Sequence, residues 1–378
     1  MSLQLREIGK IVQGEVHLED IELDLQPGRL HVLLGPTAAG KTSLMRILAG
    51  LDRPSQGRVI VDGQDVTRAG IRSRDVAMVY QQFVNYPAFT VFENIAAPLR
   101  MGGMSENLIR TNVERMAGLL HIEPYLQRLP SELSGGQQQR CAIARALVRE
   151  SGLLLLDEPL VNLDYKLREE LREELQLLFE NRSSIVVYST ADPHEALVMG
   201  GDVIVMDRGR ILQTGPAAKV YRRPRSQAVA RVFSDPPMNI VDVLAENGVA
   251  RTGSGLEIPL PEHLADPTPM RITLGIRARH LSLEPAGTAG ESGSLEPELP
   301  ADASQSIAVE GEVELSEISG SETFIHVAHG RHSWVVQKPG VHDYGMGSKV
   351  ILRIDPKKIF VFGETGALEA GPEAEDED

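Results

Sequence analysis

Short apolar runs separated by small or polar loops mark the first two thirds of the chain. The run LHVLL at Leu30–Leu34 ends in Gly35, and from about Thr42 apolar residues recur at helical spacing along one face. Two further apolar runs, Leu153–Leu156 and Ile185–Tyr188, are typical of strands that are buried on both faces. A buried strand, a glycine loop and a helix in succession predict an α/β fold.

Helical and hairpin patterns fill the sequence around these runs. Residues 91–150 are rich in Leu, Arg, Met and Glu, and Tyr165–Glu180 has one apolar and one charged face. Val203–Met206 and Arg210–Leu212 predict the two strands of a hairpin. We therefore expect a helical subdomain, at about residues 88–150, inserted in the α/β domain.

Apolar and polar residues alternate with a period of two in the last third of the chain. The alternating segments are Arg271–Ile276, Val309–Leu315, Thr323–Val327, Ser333–Val336 and Val350–Ile354. Short strands with glycine turns between them predict a small β-barrel or sandwich. Because Pro224 and the pair Pro236-Pro237 come just before, we place the domain boundary after residue 234.

The predicted organisation is an α/β domain at 1–234, an all-β domain at 235–362 and a tail at 363–378. Residues 285–306 are rich in Pro, Gly, Ser, Ala and Glu, which predicts a flexible insert in the β domain. The tail ends in EAEDED, so we expect it to be acidic and disordered.

Charge separates the two domains as clearly as the apolar pattern does. The 378 residues include 38 Lys and Arg and 53 Asp and Glu, for a net charge of −15. Residues 1–234 contain 28 of each kind, so the whole excess lies in residues 235–378. Nucleic-acid binding needs clustered Lys and Arg, so we expect no nucleic-acid partner. No apolar stretch approaches the roughly 20 residues that span a bilayer, so any membrane role is expected to be peripheral.

Residues 35–42 read GPTAAGKT and fit the pattern G-x-x-x-x-G-K-[ST] of a phosphate-binding loop. The glycines let the backbone curl until successive N–H groups face an anion, and the next helix adds its positive end. The lysine can bridge terminal phosphates and the threonine hydroxyl can bind Mg²⁺. The predicted nucleotide-binding residues are Gly35, Pro36, Thr37, Ala38, Ala39, Gly40, Lys41, Thr42 and Ser43.

The run LLLL at Leu153–Leu156 leads directly into Asp157 and Glu158. A buried strand that ends in two carboxylates is the Walker B arrangement, in which the first holds Mg²⁺ and the second polarises the attacking water. We therefore predict that Glu158 is catalytic and that Asp157 binds Mg²⁺. An ordinary acidic turn is the alternative, and the phosphate-binding loop earlier in the chain argues against it.

The sequence LSGGQQQR at Leu133–Arg140 resembles the signature motif of ABC-type ATPases. It lies between the two phosphate-binding motifs, as it does in that family. The resemblance implies that the start of a helix here faces the nucleotide that is bound to the other subunit of a dimer. The residues to which it assigns this role are Ser134, Gly135, Gly136 and Gln137.

Further matches to the family follow in the same order. The resemblance identifies Gln81 as the Q-loop ligand of Mg²⁺ beside Thr42 and Asp157, and Asp164 as part of the D-loop. MNIVDV after Pro237, GIRARHL and SGSETFIHV resemble the OB-like accessory (TOBE) domain of carbohydrate and glycerol-phosphate importers. The implied fold class is α/β, a P-loop NTPase with an inserted helical subdomain, followed by an all-β OB-like domain.

The resemblance implies the ATP-binding subunit of an importer for a carbohydrate or a glycerol-like polyol. Such a subunit hydrolyses ATP to ADP and phosphate with Mg²⁺. It would lie peripherally on the cytoplasmic face of the inner membrane. Its expected partners are two membrane-spanning permease subunits and an extracytoplasmic solute-binding protein. The alternatives are a soluble or regulatory ABC-type protein without a transporter, and a module that binds ATP but scarcely hydrolyses it.

Three positions depart from the family pattern. Val12 stands where an aromatic residue usually stacks on adenine, Ala191 replaces the histidine that contacts the γ-phosphate, and Val161 replaces a D-loop serine. His194 lies three residues beyond Ala191, but Pro193 predicts that a helix begins between them. We therefore expect this chain's own site to be impaired.

The signature motif, in contrast, is complete. Because each site combines the Walker motifs of one subunit with the signature of the other, such a chain can complete a competent site on a different partner. The hypothesis is a heterodimer with a second ATPase subunit, favoured over a homodimer.

Overall fold

The computed structural model describes residues 1–161, 163, 165–180, 182–253, 255–286 and 306–372. The chain divides into two compact units, Met1–Val220 and Tyr221–Asp378. Nearly all of the predicted flexible insert, and residues 373–378 of the predicted tail, lie outside the described residues. Among the helices that the structure describes, none has the length and apolar character needed to cross a membrane.

The first unit holds an antiparallel sheet and a mostly parallel one. The antiparallel sheet has the order β2-β1-β4-β5, formed by β1 (Leu3–Val12), β2 (Glu15–Leu25), β4 (Gln56–Val61) and β5 (Gln64–Asp65). The other has the order β10-β9-β3-β8-β7-β6, formed by β3 (Leu30–Leu34), β6 (Val76–Val79), β7 (Leu153–Asp157), β8 (Ile185–Thr190), β9 (Asp202–Asp207) and β10 (Arg210–Pro216). The predicted β9–β10 hairpin is present and is the antiparallel edge of this sheet.

Helices cover the parallel sheet and build the segment that precedes β7. They are α1 (Lys41–Ala49), α2 (Val91–Met101), α3 (Glu106–Leu119), α4 (Gly135–Leu147), α5 (Tyr165–Glu180), α6 (Pro193–Met199) and α7 (Ala217–Arg222). The apolar face of α1, with Leu44 and Ile47, is buried against Leu5 and Ile8 of the antiparallel sheet and Leu155 of the parallel one. Burial of such side chains contributes roughly 1.5–3 kcal/mol each, so this core fixes the start of α1.

The second unit is formed by strands, apart from the short helix α8 (Gln227–Val232) and single helical turns among its described residues. One sheet has the order β13-β12-β11-β14-β20-β21 and the other the order β15-β19-β16-β17-β18. The strands are β11 (Asn239–Glu246), β12 (Val249–Arg251), β13 (Glu257–Pro259), β14 (Met270–Ile276), β15 (Leu281–Pro285), β16 (Ile307–Ile318), β17 (Glu322–His329), β18 (His332–Pro339), β19 (Lys349–Ile354), β20 (Phe360–Phe362) and β21 (Leu368–Ala370). Their alternate side chains share one apolar core around Trp334, as the period-two pattern predicts.

The division between the units falls after Val220, not after residue 234 as the prolines suggested. The reason is that residues 221–233 pack with the β unit. The buried guanidinium of Arg277 donates hydrogen bonds to the carbonyls of Tyr221 and Phe233 and lies 3.6 Å from the Tyr221 ring centroid. Helix α8 contributes Ala230 to a cluster with Phe360 and Phe362.

The prediction of a disordered tail from residue 363 is wrong for its first part. Strand β21 pairs with β20, and Leu368 packs against the apolar cluster of Phe360 and Phe362. Gly363 N–H donates to the carbonyl of Ala367, which closes a tight turn before β21. The acidic residues at the end of the chain led us to expect disorder from residue 363. The packing of Leu368 and the pairing of β21 with β20 hold this short strand in place.

Candidate nucleotide-binding site

The predicted site residues converge because parallel strands end at a common sheet edge. Strands β3 and β8 pair in the register Leu34 with Thr190, and β7 and β8 pair in the register Asp157 with Ser189. The residues that follow these three strands therefore meet at the carboxyl edge, where open α/β sheets bind ligands.

The phosphate-binding loop is held at this edge by backbone contacts. Gly35 N–H donates to the carbonyl of Thr190 (3.3 Å), which ties the loop to the end of β8. Gly40 has a φ of +101°, and a Cβ there would lie 2.8 Å from the carbonyl oxygen of His17. Only glycine satisfies both demands, so a side chain at position 40 would force the loop or β2 to move.

Lys41 lies at the centre of the site and is almost fully buried, with 5% of its surface exposed. Its Nζ donates to the carbonyls of Gly35 (2.6 Å) and Pro36 (3.1 Å) and lies 3.1 Å from Glu158 Oε1. Gln81 Nε2 donates to the other Glu158 oxygen (2.9 Å). The structure thus brings together Lys41, predicted to bind phosphate, Glu158, predicted to polarise water, and Gln81, predicted to bind Mg²⁺.

Asp157 lies beside them and is buried, with 2% of its surface exposed. Ser189 Oγ donates to Asp157 Oδ1 (2.7 Å) and accepts from Glu158 N–H (2.9 Å). Burial raises the pKa of Asp157, while hydrogen bonds from Ser189 and Thr42 oppose the rise. These oxygen donors fit Mg²⁺, which prefers one or two carboxylates together with phosphate and water oxygens.

The raised pKa of Asp157 predicts the sign of a stability change. Because folding favours the protonated carboxyl, ionised Asp157 lowers stability near neutral pH, and this penalty fades as the pH falls through the raised pKa. We expect Asp157→Asn to increase the free energy of unfolding by about 1 kcal/mol at pH 7, measured by denaturant titration without nucleotide.

Asp52 is a matched control for that measurement. Its hydrogen bond from Arg46 lowers its pKa, so its ionised form stabilises the fold above its unfolded pKa. Asp52→Asn should therefore lower stability near neutral pH. A loss of stability in both variants would contradict the description of Asp157 as an ionisable group that is costly to bury.

A cavity of about 350 Å³ opens above the loop. Its lining residues are Glu15, Val16, His17, Thr37, Ala38, Ala39, Gly40, Lys41, Thr42, Ser43, Gln81 and Glu158. Seven of the nine predicted nucleotide-binding residues line the cavity. The other two, Gly35 and Pro36, do not line it, and their carbonyls accept hydrogen bonds from Lys41 Nζ. The three residues from β2 were not predicted as site residues.

The predicted signature residues begin helix α4 and do not line this cavity. Ser134 is the N-cap: its Oγ accepts from Gln137 N–H (3.4 Å), and Gln137 Oε1 accepts from Ser134 N–H (3.0 Å). Ser134 and Gly135 are exposed, and a Cβ on Gly135 would meet nothing within 4 Å. A Cβ on Gly136 would instead lie 2.8 Å from Leu167. One glycine therefore faces open space, and the other packs against α5.

Ala191 is exposed at the end of β8, where the family resemblance placed a histidine. His194 is also exposed and lies in the first turn of α6, where its N–H donates to Asp192 Oδ1 (2.8 Å). Helix α6 begins at Pro193, as predicted, so His194 belongs to that helix and not to the loop. Of the D-loop residues, Val161 is 47% exposed, and Asp164 lies outside the described residues.

Ser189 in β8 and Glu195 in α6 extend the site beyond the predicted motifs. Ser189 links Asp157 to Glu158, and the parallel register of β7 and β8 is the signal that points to it. Glu195 is buried and accepts hydrogen bonds from Tyr188 (2.7 Å) and Thr190. Burial raises the pKa of Glu195, against these two bonds. This network holds the strand end that carries Ala191.

Residues 18–161 match the family described as ABC transporter, and residues 274–362 match the TOBE domain. A relative from Pectobacterium atrosepticum, the sn-glycerol-3-phosphate import ATP-binding protein UgpC, is 33% identical over 97% of this chain and 98% of its own length. This chain belongs to the ATP-binding proteins of the ABC transporter family. The expected fold class and ATPase activity are thereby confirmed.

Other relatives of this ABC ATPase agree with that assignment. UgpC of Yersinia pestis is 39% identical over 74% of this chain and 79% of its own length. The uncharacterised ABC transporter ATP-binding protein YcjV of Escherichia coli is 32% identical over 95% and 97%. The solved cassette MJ0796, described as dimeric, has a TM-score of 0.53 and 29% identity and covers 57% of this chain and 98% of its own.

Proposed function

We propose that this ABC ATPase powers an importer of glycerol-3-phosphate or a related small polyol. The observation that supports it is the convergence of Lys41, Gln81, Asp157 and Glu158 at one sheet edge, in a chain similar over nearly its whole length to glycerol-3-phosphate import proteins. The proposed partners are two membrane-spanning permease subunits and an extracytoplasmic solute-binding protein, with this chain peripheral on the cytoplasmic side.

The proposed chemistry follows from the side chains at the sheet edge. When ATP binds, Lys41 gives up its ion pair with Glu158 and forms ion pairs with the terminal phosphates instead. Glu158 is then free to orient and polarise the attacking water. Thr42, Gln81 and Asp157 would hold Mg²⁺, which when bound would neutralise negative charge on the phosphates. The buried position of Lys41 supports this role, because a charge in low dielectric acts more strongly on phosphate than it would in water.

We propose further that the chain works beside a second, different ATPase subunit. Val12 pairs with the cavity residue Glu15, and Ala191 follows Thr190, whose carbonyl accepts from Gly35 N–H. Both are exposed, and neither side chain is aromatic or a hydrogen-bond donor. Gly135, by contrast, stands in open space at the start of a well-capped helix. The proposal is that this helix start completes the partner's site, which then carries most of the hydrolysis.

Uptake and co-purification test the transport assignment together. A tagged chain is purified from its native membrane, and the bound subunits are identified by mass spectrometry. In cells that lack the chain, uptake of labelled glycerol-3-phosphate and of glycerol is measured with and without the wild-type gene. We expect restored uptake of one of them and recovery of two kinds of ATPase subunit. Unchanged uptake of both compounds would contradict the solute, and a single kind of ATPase subunit would contradict the heterodimer.

A further inference from the structure

The nucleotide cavity has two chemically different ends. Lys41, Gln81 and Glu158 supply the charged groups that deal with the terminal phosphate. At the other end, strand β2 contributes Val16 and His17. Among the described lining residues, His17 carries the only aromatic ring.

The contacts of His17 place it away from the reacting phosphate. Its Nδ1 lies 3.3 Å from Ser43 Oγ, in the first turn of α1, whereas Glu158 contacts Lys41. A triphosphate that lies along the loop with its terminal phosphate at Lys41 and Glu158 runs back towards Ser43. A nucleoside attached to that end of the triphosphate would leave the loop on the side of His17.

The backbone of His17 is fixed against the phosphate-binding loop by close packing. A Cβ on Gly40 or on Gly209 would approach the carbonyl oxygen of His17 to 2.8 Å or 2.7 Å. Gly209 N–H in turn donates to the carbonyl of Ala39 (2.9 Å), and Glu19 N–H donates to the carbonyl of Gly209 (2.9 Å). Strand β2, the loop and the β9–β10 turn thus form one junction, at which His17 lines the cavity with its Nδ1 near Ser43 Oγ.

We propose that His17 is the residue of this pocket that contacts the nucleobase, with its imidazole ring packed against the base. The inference rests on the proposed binding of ATP along the Lys41 loop. An aromatic ring against a base contributes substantially to affinity and tolerates different bases, because every base has a π-face. Val16 adds apolar surface beside the ring. His17 is therefore expected to determine affinity for the nucleoside and not for the phosphates.

Isothermal titration calorimetry, which measures the affinity of the full chain for two ligands, tests this role. ATP and inorganic tripolyphosphate, each with Mg²⁺, are titrated into the wild-type chain and the variants His17→Ala and His17→Phe. We expect His17→Ala to weaken ATP binding about fivefold or more, from the loss of one stacking contact. Binding of tripolyphosphate should not change, and His17→Phe should restore ATP affinity because it keeps a ring.

Control variants distinguish a failure of the His17 inference from a failure of the proposed nucleotide-binding site. His332→Ala, in the second unit, should leave both affinities unchanged, and thermal melting should show that each variant is folded. Unchanged ATP affinity in His17→Ala would overturn the inference, and so would an equal loss for both ligands, which indicates a phosphate contact. Lys41→Ala tests nucleotide binding itself: unchanged ATP affinity in that variant would overturn the proposed site and leave His17 without a role.

Discussion

Gly135→Asp in this chain should reduce ATP hydrolysis by the assembled transporter by about 10²–10³-fold. Gly135 stands at the exposed start of α4, where the N–H groups of Gly135 and Gly136 precede the Gln137 N–H that Ser134 caps and have no acceptor within the helix. If α4 completes the partner's site, as proposed, a carboxylate at this position would repel the γ-phosphate bound there and occupy the N–H donors that should receive it. The steady-state rate of phosphate release by the purified complex measures the effect.

The folded state of this chain should tolerate the same change. A Cβ on Gly135 meets nothing within 4 Å, and an acidic residue near a helix N-terminus is favourable. The thermal midpoint and this chain's own ATP affinity should therefore stay at wild-type values. Gly70→Asp is a matched control, because a Cβ on Gly70 also meets nothing within 4 Å. A rate that stays at the wild-type value in Gly135→Asp would contradict the role of α4.

Ala191→His should raise hydrolysis at this chain's own site by up to about 10²–10³-fold, the usual contribution of one preorganised donor. Ala191 follows Thr190, whose carbonyl accepts from Gly35 N–H, so a side chain here starts beside the phosphate-binding loop. The turn that carries Ala191, between β8 and α6, is already held by the hydrogen bonds of Tyr188, Thr190 and Glu195. The added imidazole therefore requires little rearrangement of the backbone.

Single-turnover hydrolysis by complexes in which the partner's site is inactivated isolates this effect. His194→Ala is the matched control and should change nothing, because His194 is exposed on α6. An equal rate in Ala191→His and the wild-type chain would contradict the view that a missing donor limits this site. The same measurement on the chain alone shows whether it hydrolyses ATP without a partner.

Much of the fold follows from local pattern. Helix α5 spans Tyr165–Glu180, the segment that the sequence pattern predicts from its one charged and one apolar face. Leu30–Leu34 forms the predicted buried strand β3. The motifs GPTAAGKT and LLLLDE identify two site residues: Lys41 at the start of α1, and Glu158 directly after β7. Such features depend on residues near one another in sequence, and so the sequence reveals them.

Features that depend on distant residues were missed. Ser189 enters the site only through the register of β7 and β8, and His17 enters only because β2 packs on Gly40. The boundary after Val220 depends on Arg277, which lies more than 40 residues away from the segment it holds. No local pattern encodes these contacts, since each arises from tertiary packing.

The measurement that tests the central claim most directly is the ATPase rate of the purified complex with Glu158→Gln in this chain alone. If the working site uses this chain's signature helix and the partner's Walker residues, most of the wild-type rate should remain. A fall to the level of Gly135→Asp would contradict the account, because it would show that Glu158 itself serves the site at which most of the ATP is hydrolysed.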